Sequence, residues 1–144
     1  MSDAASTDLK DFEQFMRERG AAGVDFVNAR PAALGRIVAH RGPATFFGPG
    51  GGHVEGAQEV FAQYEKDSQR FESGSNEFEV LHMAASDGLA YWTGFQHATV
   101  RMQGKKEEMS MHLRVTEIFR REGMAWKLVH RHADMLTEAK PPPR

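Results

Sequence analysis

Cysteine is absent from the 144 residues, which rules out disulfides, thiolate metal sites and a thiol nucleophile. An excess of one charge is also lacking. The chain has 18 basic and 20 acidic residues, a formal net charge of -2, so no long-range field gathers it onto nucleic acid or anionic lipid. No run approaches the roughly 18 apolar residues of a membrane-spanning helix. Residues Met1 to Asp8 have neither the basic nor the apolar stretch of a secretion signal. The expectation is a cytoplasmic protein with no nucleic-acid and no membrane partner. The glycine cluster Gly48-Pro49-Gly50-Gly51-Gly52 is not followed by the Lys-Ser/Thr pair of a phosphate loop, and no Gly-x-Ser-x-Gly nucleophile context occurs.

What is present is the composition of one ordinary folded domain, 40% hydrophobic and 26% charged, so one closed core is expected. Asp8 caps a first helix in which Leu9, Phe12, Phe15 and Met16 recur at helical spacing, ending near Gly20. A second helical stretch runs from Gly23 to Gly35, is interrupted by Pro31 and leads to the extended run Arg36 to His40. Thr45-Phe46-Phe47 before the glycines reads as a strand entering a hairpin or corner. Ala57 to Phe71 reads as a third helix through Val60, Phe61 and Tyr64. After a break at Glu72 to Asn76 the period changes to two. Strands are expected at Phe78 to Met83, Leu89 to Gln96, Met109 to Arg121 and Ala125 to Asp134, with a hairpin turn at Ser86-Asp87-Gly88 and further turns at Gly104 to Glu108 and Glu122-Gly123. The division expected is a flexible segment 1–7, a single domain over 8–136 and a loose proline-rich tail over 137–144. Helices first and an antiparallel meander afterwards make an α+β arrangement.

The run His112-Leu113-Arg114-Val115-Thr116-Glu117-Ile118-Phe119-Arg120-Arg121-Glu122-Gly123, continued by Trp126-Lys127-Leu128-Val129-His130-Arg131-His132-Ala133-Asp134, resembles the closing hairpin of the SnoaL-like, ketosteroid-isomerase-like group of the NTF2-like superfamily. The stretch from Thr45 to Gly56, with a helix behind it, resembles the strand, loop and helix that precede the sheet in that group. The resemblance implies a cone-shaped fold of three N-terminal helices on a strongly curved, mostly antiparallel sheet. It further implies an apolar pocket in the cone and dimerisation through the outer sheet face. It implies no single reaction, because the superfamily includes isomerases, cyclases, dehydratases and non-catalytic modules.

The acid/base set of steroid isomerases is missing, since the only tyrosines are Tyr64 and Tyr91 and a histidine, His40, ends the first extended run. His40 and the pair His130 and His132 are therefore the candidate acid/base residues, imidazole being the side chain that titrates near neutrality. His130-x-His132 puts both rings on one strand face, yet no third ligand can be placed, so no metal and no cofactor is expected. Arg114, between two apolar residues of a strand, has to find an anion or several acceptors if covered. It is the candidate anchor for a carboxylate, with an ion pair to Glu117, Asp134 or a second copy as the structural alternative. Trp92, Tyr91, Phe46 and Thr116 complete the candidate binding set, and the aromatics Trp92, Phe46 and Phe26 suit a flat or cyclic ligand. Two readings of function follow. One is a domain that binds a small hydrophobic molecule, such as a carboxylic acid, for cofactor-independent isomerisation, dehydration or cyclisation. The other is a non-catalytic ligand-binding or dimerisation module, and a homodimer is expected in either case.

Overall fold

The computed structural model describes residues 2–137. The elements follow in the order α1 (Ser2–Phe26), α2 (Ala32–Ile37), β1 (Thr45–Phe47), β2 (His53–Glu55), α3 (Ala57–Ser68), β3 (Phe71–Ser86), β4 (Leu89–Met102), β5 (Glu108–Glu122) and β6 (Ala125–Met135). The fold is α+β, with three helices and one six-stranded sheet of order β2-β1-β6-β5-β4-β3. Every neighbouring pair is antiparallel except β1 and β6, which run parallel. Among the described residues, no helix is long and apolar enough to cross a membrane.

The strands alternate as two-sided elements do. In β4, Ala90, Trp92, Gly94, Gln96, Ala98 and Val100 are buried, and in β5, Leu113, Val115, Glu117 and Phe119 are. This inner face meets the apolar stripe of α1, whose Phe12 is fully buried, together with Leu34 and Ile37 of α2 and Val60 and Tyr64 of α3. Phe12 packs within 5.2–5.9 Å, centroid to centroid, of Phe119, Trp126 and Phe15. A smaller cluster of Val27, Phe71, Ala98 and Val100 closes one end.

Four expectations about the elements need correction. Gly20 does not end the first helix, which continues unbroken to Phe26. The glycine that matters is Gly23, where a Cβ would sit 2.6 Å from Asn76 Nδ2 and 3.3 Å from the Phe78 ring, so its lack of a side chain lets α1 lie close to β3. The second helix is only Ala32–Ile37, beginning after Pro31, and of the expected strand Arg36 to His40 only a single bridge from Val38 to Leu128 forms. The segment Glu72 to Asn76 is not a break but part of the start of β3, with Ser73 to Asn76 paired to Arg101 to Ala98 on β4. There Gly74 again permits close approach, a Cβ falling 2.8 Å from the Thr99 carbonyl oxygen. The third helix stops at Ser68 instead of Phe71, since Phe71 already belongs to β3. The turn at Ser86-Asp87-Gly88 forms as read, with Asp87 at φ 55° and Gly88 at φ 80°, the two positive values that tight hairpins need. Helix α1 begins at Ser2, inside the segment 1–7, while residues 138–144 of the expected tail lie outside the described residues.

A bulge positions the site. The pairing of β5 with β6 slips between Ile118 and Phe119, so that Phe119 faces Leu128 but Ile118 faces His130. One extra residue on one strand reverses the alternation beyond it. Trp126 and Leu128 are buried before the slip, and Arg131 and Ala133 after it. Arg131 thus points inward, and His130, His132 and Asp134 lie on the outer face.

Candidate functional site

Three charged side chains meet on the inner face of the sheet. Arg19 lies in the apolar stripe of α1, one helical turn from Phe15 and Ala22 and two from Phe12, and is 3% exposed, while Glu117 on β5 is completely buried. The Arg19 guanidinium grips Glu117 with two hydrogen bonds, Nε to Oε1 at 2.8 Å and Nη2 to Oε2 at 2.7 Å. Arg131 Nη1 adds a third at 2.6 Å, and the Trp92 indole N–H a fourth at 2.9 Å. The set continues outward: Arg131 Nη2 donates to Gln96 Oε1 at 2.5 Å, and Gln96 Nε2 donates to Asn76 Oδ1 at 2.7 Å. On its other side Arg19 stacks on Phe78, 4.7 Å from the ring centroid.

The electrostatics are asymmetric, with two guanidinium groups and one carboxylate. Burial by itself would push the Glu117 carboxyl up, but Arg19 and then Arg131 outweigh it and hold the group down at about 2. Glu117 is therefore a fixed anion and not a proton acceptor near neutrality. The cluster keeps one positive charge in excess. Tyr64 of α3, also buried, has its phenol pushed up chiefly by burial, with Arg131 pulling the other way, so it remains an O–H donor. Arg19 Nη1, the Tyr64 hydroxyl, Asn76 Nδ2 and Trp126 Nε1 are buried polar atoms without a partner among the described residues.

Arg19, Tyr64, Gln96 and Arg131 line a cavity of about 260 Å³ whose remaining wall is mostly apolar, including Phe26, Leu34, Phe46 and Leu113. It lies between the helices and the inner sheet face. Phe46 of β1 packs against the Tyr64 ring at 4.9 Å. Asp67, Arg70 and Pro49 of the glycine loop also belong to its wall. A larger recess of about 780 Å³ runs along α1, past α2 and the β5–β6 turn, bordered by Asp11, Glu18, Asp25, Arg36 and Arg121. We place the site in the smaller one, because it is the more enclosed, its wall is more apolar, and four buried hydrogen-bonding side chains converge on it.

Of the candidate residues singled out in the sequence, Phe46 and Phe26 line this cavity. Trp92 is fully buried beside it and holds Glu117. His40 is exposed after α2, its Nε2–H donating to the Gly35 carbonyl at 2.6 Å. The remaining five are on the opposite face of the sheet. Arg114 forms a two-pronged ion pair with Asp134 at 2.6 and 2.8 Å, the second partner proposed for it. His132 Nε2 is 3.6 Å from the same carboxylate. Thr116 shares a 3.1 Å hydrogen bond with Thr93, and Tyr91 a 2.6 Å one with His82. His130 shares one of 2.7 Å with Thr45, and its imidazole is pushed down by burial and then by His132. Arg114, Thr116 and His132 do converge, but on an open groove of the outer face with Leu81 and Phe95. Three His, Asp or Glu side chains placed to hold a metal ion are not found among the described residues.

The sequence carries two signals that identify the missed residues. Glu117 occupies the third position of the buried row Leu113, Val115, Glu117, Phe119, where a carboxylate has to be paired. Arg19 likewise falls in the apolar stripe of α1. Arg131 carries no such signal, because straight alternation from Trp126 and Leu128 would point His130 and His132 inward.

The model of the family described as "SnoaL-like domain" matches residues 26–138. The chain belongs to the SnoaL-like domain family. The fold of this SnoaL-like domain is shared by solved structures of low identity. A candidate dehydratase of the NTF2-like family from Streptomyces avermitilis is 18% identical, with a TM-score of 0.75 over 88% of this chain and 97% of that one. An NTF2-like superfamily protein from Salmonella enterica serovar Typhimurium is 12% identical, with a TM-score of 0.77 over 92% and 96%. A candidate scytalone dehydratase from Novosphingobium aromaticivorans is 13% identical, with a TM-score of 0.74 over 95% and 89%. At such identities the likeness concerns the fold. No curated protein matches the sequence.

Proposed function

We propose that this SnoaL-like domain binds a small, largely apolar molecule in the cavity between its helices and its sheet. The observation that carries the reading is the cavity itself, about 260 Å³ with a mostly apolar wall and a hydrogen-bonding end made by Arg19, Tyr64, Gln96 and Arg131. That volume lies just below the roughly 300–1,000 Å³ of sites for drug-sized ligands, which suits a single ring or a short branched chain. The polar end orients the ligand and the apolar wall supplies the burial.

Isomerisation, dehydration or cyclisation in this cavity requires a proton acceptor, and Glu117 is unsuited to that role with four donors on it. Asp67 is the carboxylate that lines the cavity, on the same helix as Tyr64, with Gln63 donating to it at 2.8 Å. The candidate dehydratases among the structural relatives favour this second reading, in which Asp67 takes the proton and Tyr64 and the arginines hold the developing oxyanion. Binding is the better supported of the two. We also propose that the outer face, where Leu81 is 61% exposed beside Phe95, seats a second copy of the chain, which light scattering would report as twice the monomer mass.

The test is thermal unfolding against ring-sized apolar compounds, for the wild type and for Met111→Trp, which puts an indole into the cavity wall. A ligand at 100 times its dissociation constant stabilises by about 2.7 kcal/mol. A shift in the wild type that Met111→Trp abolishes supports the reading. Equal shifts in both, or none with any compound, would overturn it.

A further inference from the structure

We infer that the cavity's ligand is a carboxylate, anchored at the Arg19 and Tyr64 end; the inference rests on the cavity being a ligand site. Three observations carry it. The buried cluster Arg19–Glu117–Arg131 holds two cations against one anion, and an unbalanced buried charge is costly unless a counter-charge arrives. The cavity's other charged residues, Asp67 and Arg70, are of opposite sign and leave the excess as it is.

The second observation concerns the unpartnered atoms. Glu117 uses Nε and Nη2 of Arg19 and leaves Nη1 without a partner, and the Tyr64 hydroxyl is also unpartnered. Both residues line the cavity, and each keeps a donor, a guanidinium N–H and a phenol O–H, in want of an acceptor. Native proteins rarely leave such donors buried and idle.

The third observation is that this end is held rigid. Glu117 locks Arg19 from one side and the Phe78 ring covers it at 4.7 Å from the other, while Gln96 and Glu117 hold Arg131. The donors therefore keep their positions when the site is empty, so little ordering is required on binding. A carboxylate, with two acceptor oxygens and one negative charge, answers both the donor pair and the charge excess. A neutral carbonyl answers only the donors. Phosphate, a mixture of monoanion and dianion near neutrality with four oxygens to satisfy, exceeds both the donor pair and the single positive charge.

The experiment compares acids with their uncharged isosteres. Benzoate, cyclohexanecarboxylate and hexanoate, each beside its primary amide, are titrated into the full chain by calorimetry, with inorganic phosphate as a further arm. Expected is binding of at least one acid, with its amide weaker by about tenfold or more. Tyr64→Phe should weaken the acid by about fivefold and the amide by less, since the hydroxyl it removes has no partner among the described residues and bonds a charged acceptor more strongly than a neutral one. Among the described residues no histidine lines the cavity, so the acid's advantage should persist between about pH 6 and pH 9, whereas a histidine anchor would lose it. Amides binding as well as acids, or phosphate binding better than any acid, would overturn the carboxylate and leave the cavity reading standing. Failure of every acid and every amide would overturn both. Should Tyr64→Phe not fold, the ratio of acid to amide in the wild type still decides.

Discussion

Replacing Glu117 by Gln keeps the shape of the side chain and removes its charge, which makes it the sharpest perturbation of this domain. In the wild type one fully buried carboxylate accepts four hydrogen bonds, from Arg19 twice, Arg131 and Trp92. The amide offers a single acceptor oxygen and turns two donors toward a guanidinium that also donates. Two buried cations are left without a counter-charge. Removing one partner of a buried ion pair typically costs about 3–5 kcal/mol, against a total stability of about 5–15 kcal/mol. Urea unfolding near pH 7 should therefore place Glu117→Gln about 3–5 kcal/mol below the wild type, with an unchanged denaturant slope. The pH dependence gives an internal check. The carboxyl is held at about 2 in the folded protein against an ordinary value of 4.5. Its contribution is therefore complete above pH 4.5 and lost as the pH falls through 4.5 toward 2. At 1.36 kcal/mol per unit the loss is on the order of 3 kcal/mol. Wild type and Glu117→Gln should thus converge in acid, where the wild-type side chain is itself uncharged. A difference below about 1 kcal/mol near neutrality, or one that does not shrink on acidification, would refute the reasoning.

Further outcomes are expected at other positions. Trp92→Phe removes one charge-assisted hydrogen bond to Glu117 and should cost about 1.5–3 kcal/mol by the same urea assay. Gly94→Ala would drive a Cβ into the Glu79 carbonyl oxygen and to 2.9 Å from the Leu81 amide nitrogen, in backbone that cannot yield. It should lower the thermal midpoint or prevent soluble expression, and an unchanged midpoint would contradict the close approach of β3 to Gly94, where the β3–β4 register shifts between Val80 and His82. Arg114→Ala breaks an ion pair whose arginine is 62% exposed, of the solvent-screened kind that contributes little. Both the thermal midpoint and binding of any cavity ligand should stay at the wild-type values. Replacing Arg19, Glu117 and Arg131 together by Met, Leu and Met should recover most of the stability lost in Glu117→Gln, because apolar substitutes for a buried ionic triad are often neutral, while carboxylate binding should be abolished.

The sheet was legible in the sequence wherever alternation ran undisturbed, as in Leu113 to Phe119 and in Tyr91 to Gln96, and the Asp87-Gly88 turn was legible from its residue types. The helix boundaries were harder to read. Gly20 and Gly74 look like punctuation in a linear reading, but helix α1 runs through Gly20, and Gly74 lies in a strand where the neighbouring strand leaves no room for a Cβ. The fold class followed from the order of the elements and from the closing hairpin, both of which survive errors of a few residues. The site did not follow, because it depends on one inserted residue in β6. Whether Arg131 or His130 faces the cavity is decided by the slip opposite Ile118 and Phe119, and nothing in the local composition marks it. The attention given to His130, His132 and Arg114 therefore fell on the outer face. Glu117 and Arg19 could have been found by asking why a charged residue stands in an otherwise apolar row.

The claim on which everything else depends is that ligand enters between the helices and the sheet and not the outer groove. The most direct test is a nitrogen–proton correlation spectrum of the labelled domain during titration with the tightest-binding carboxylate. The Trp92 indole N–H, which donates to Glu117 at 2.9 Å, and the Gln96 side-chain amide, which donates to Asn76 at 2.7 Å, report the interior. The backbone amides of Thr93, Thr116 and His132, around the outer groove, report the other face. The account predicts saturable shifts of the Trp92 and Gln96 side-chain signals at the calorimetric affinity, larger than those of the outer set. Shifts centred on Thr116 and His132 with the Trp92 indole signal unmoved would contradict it.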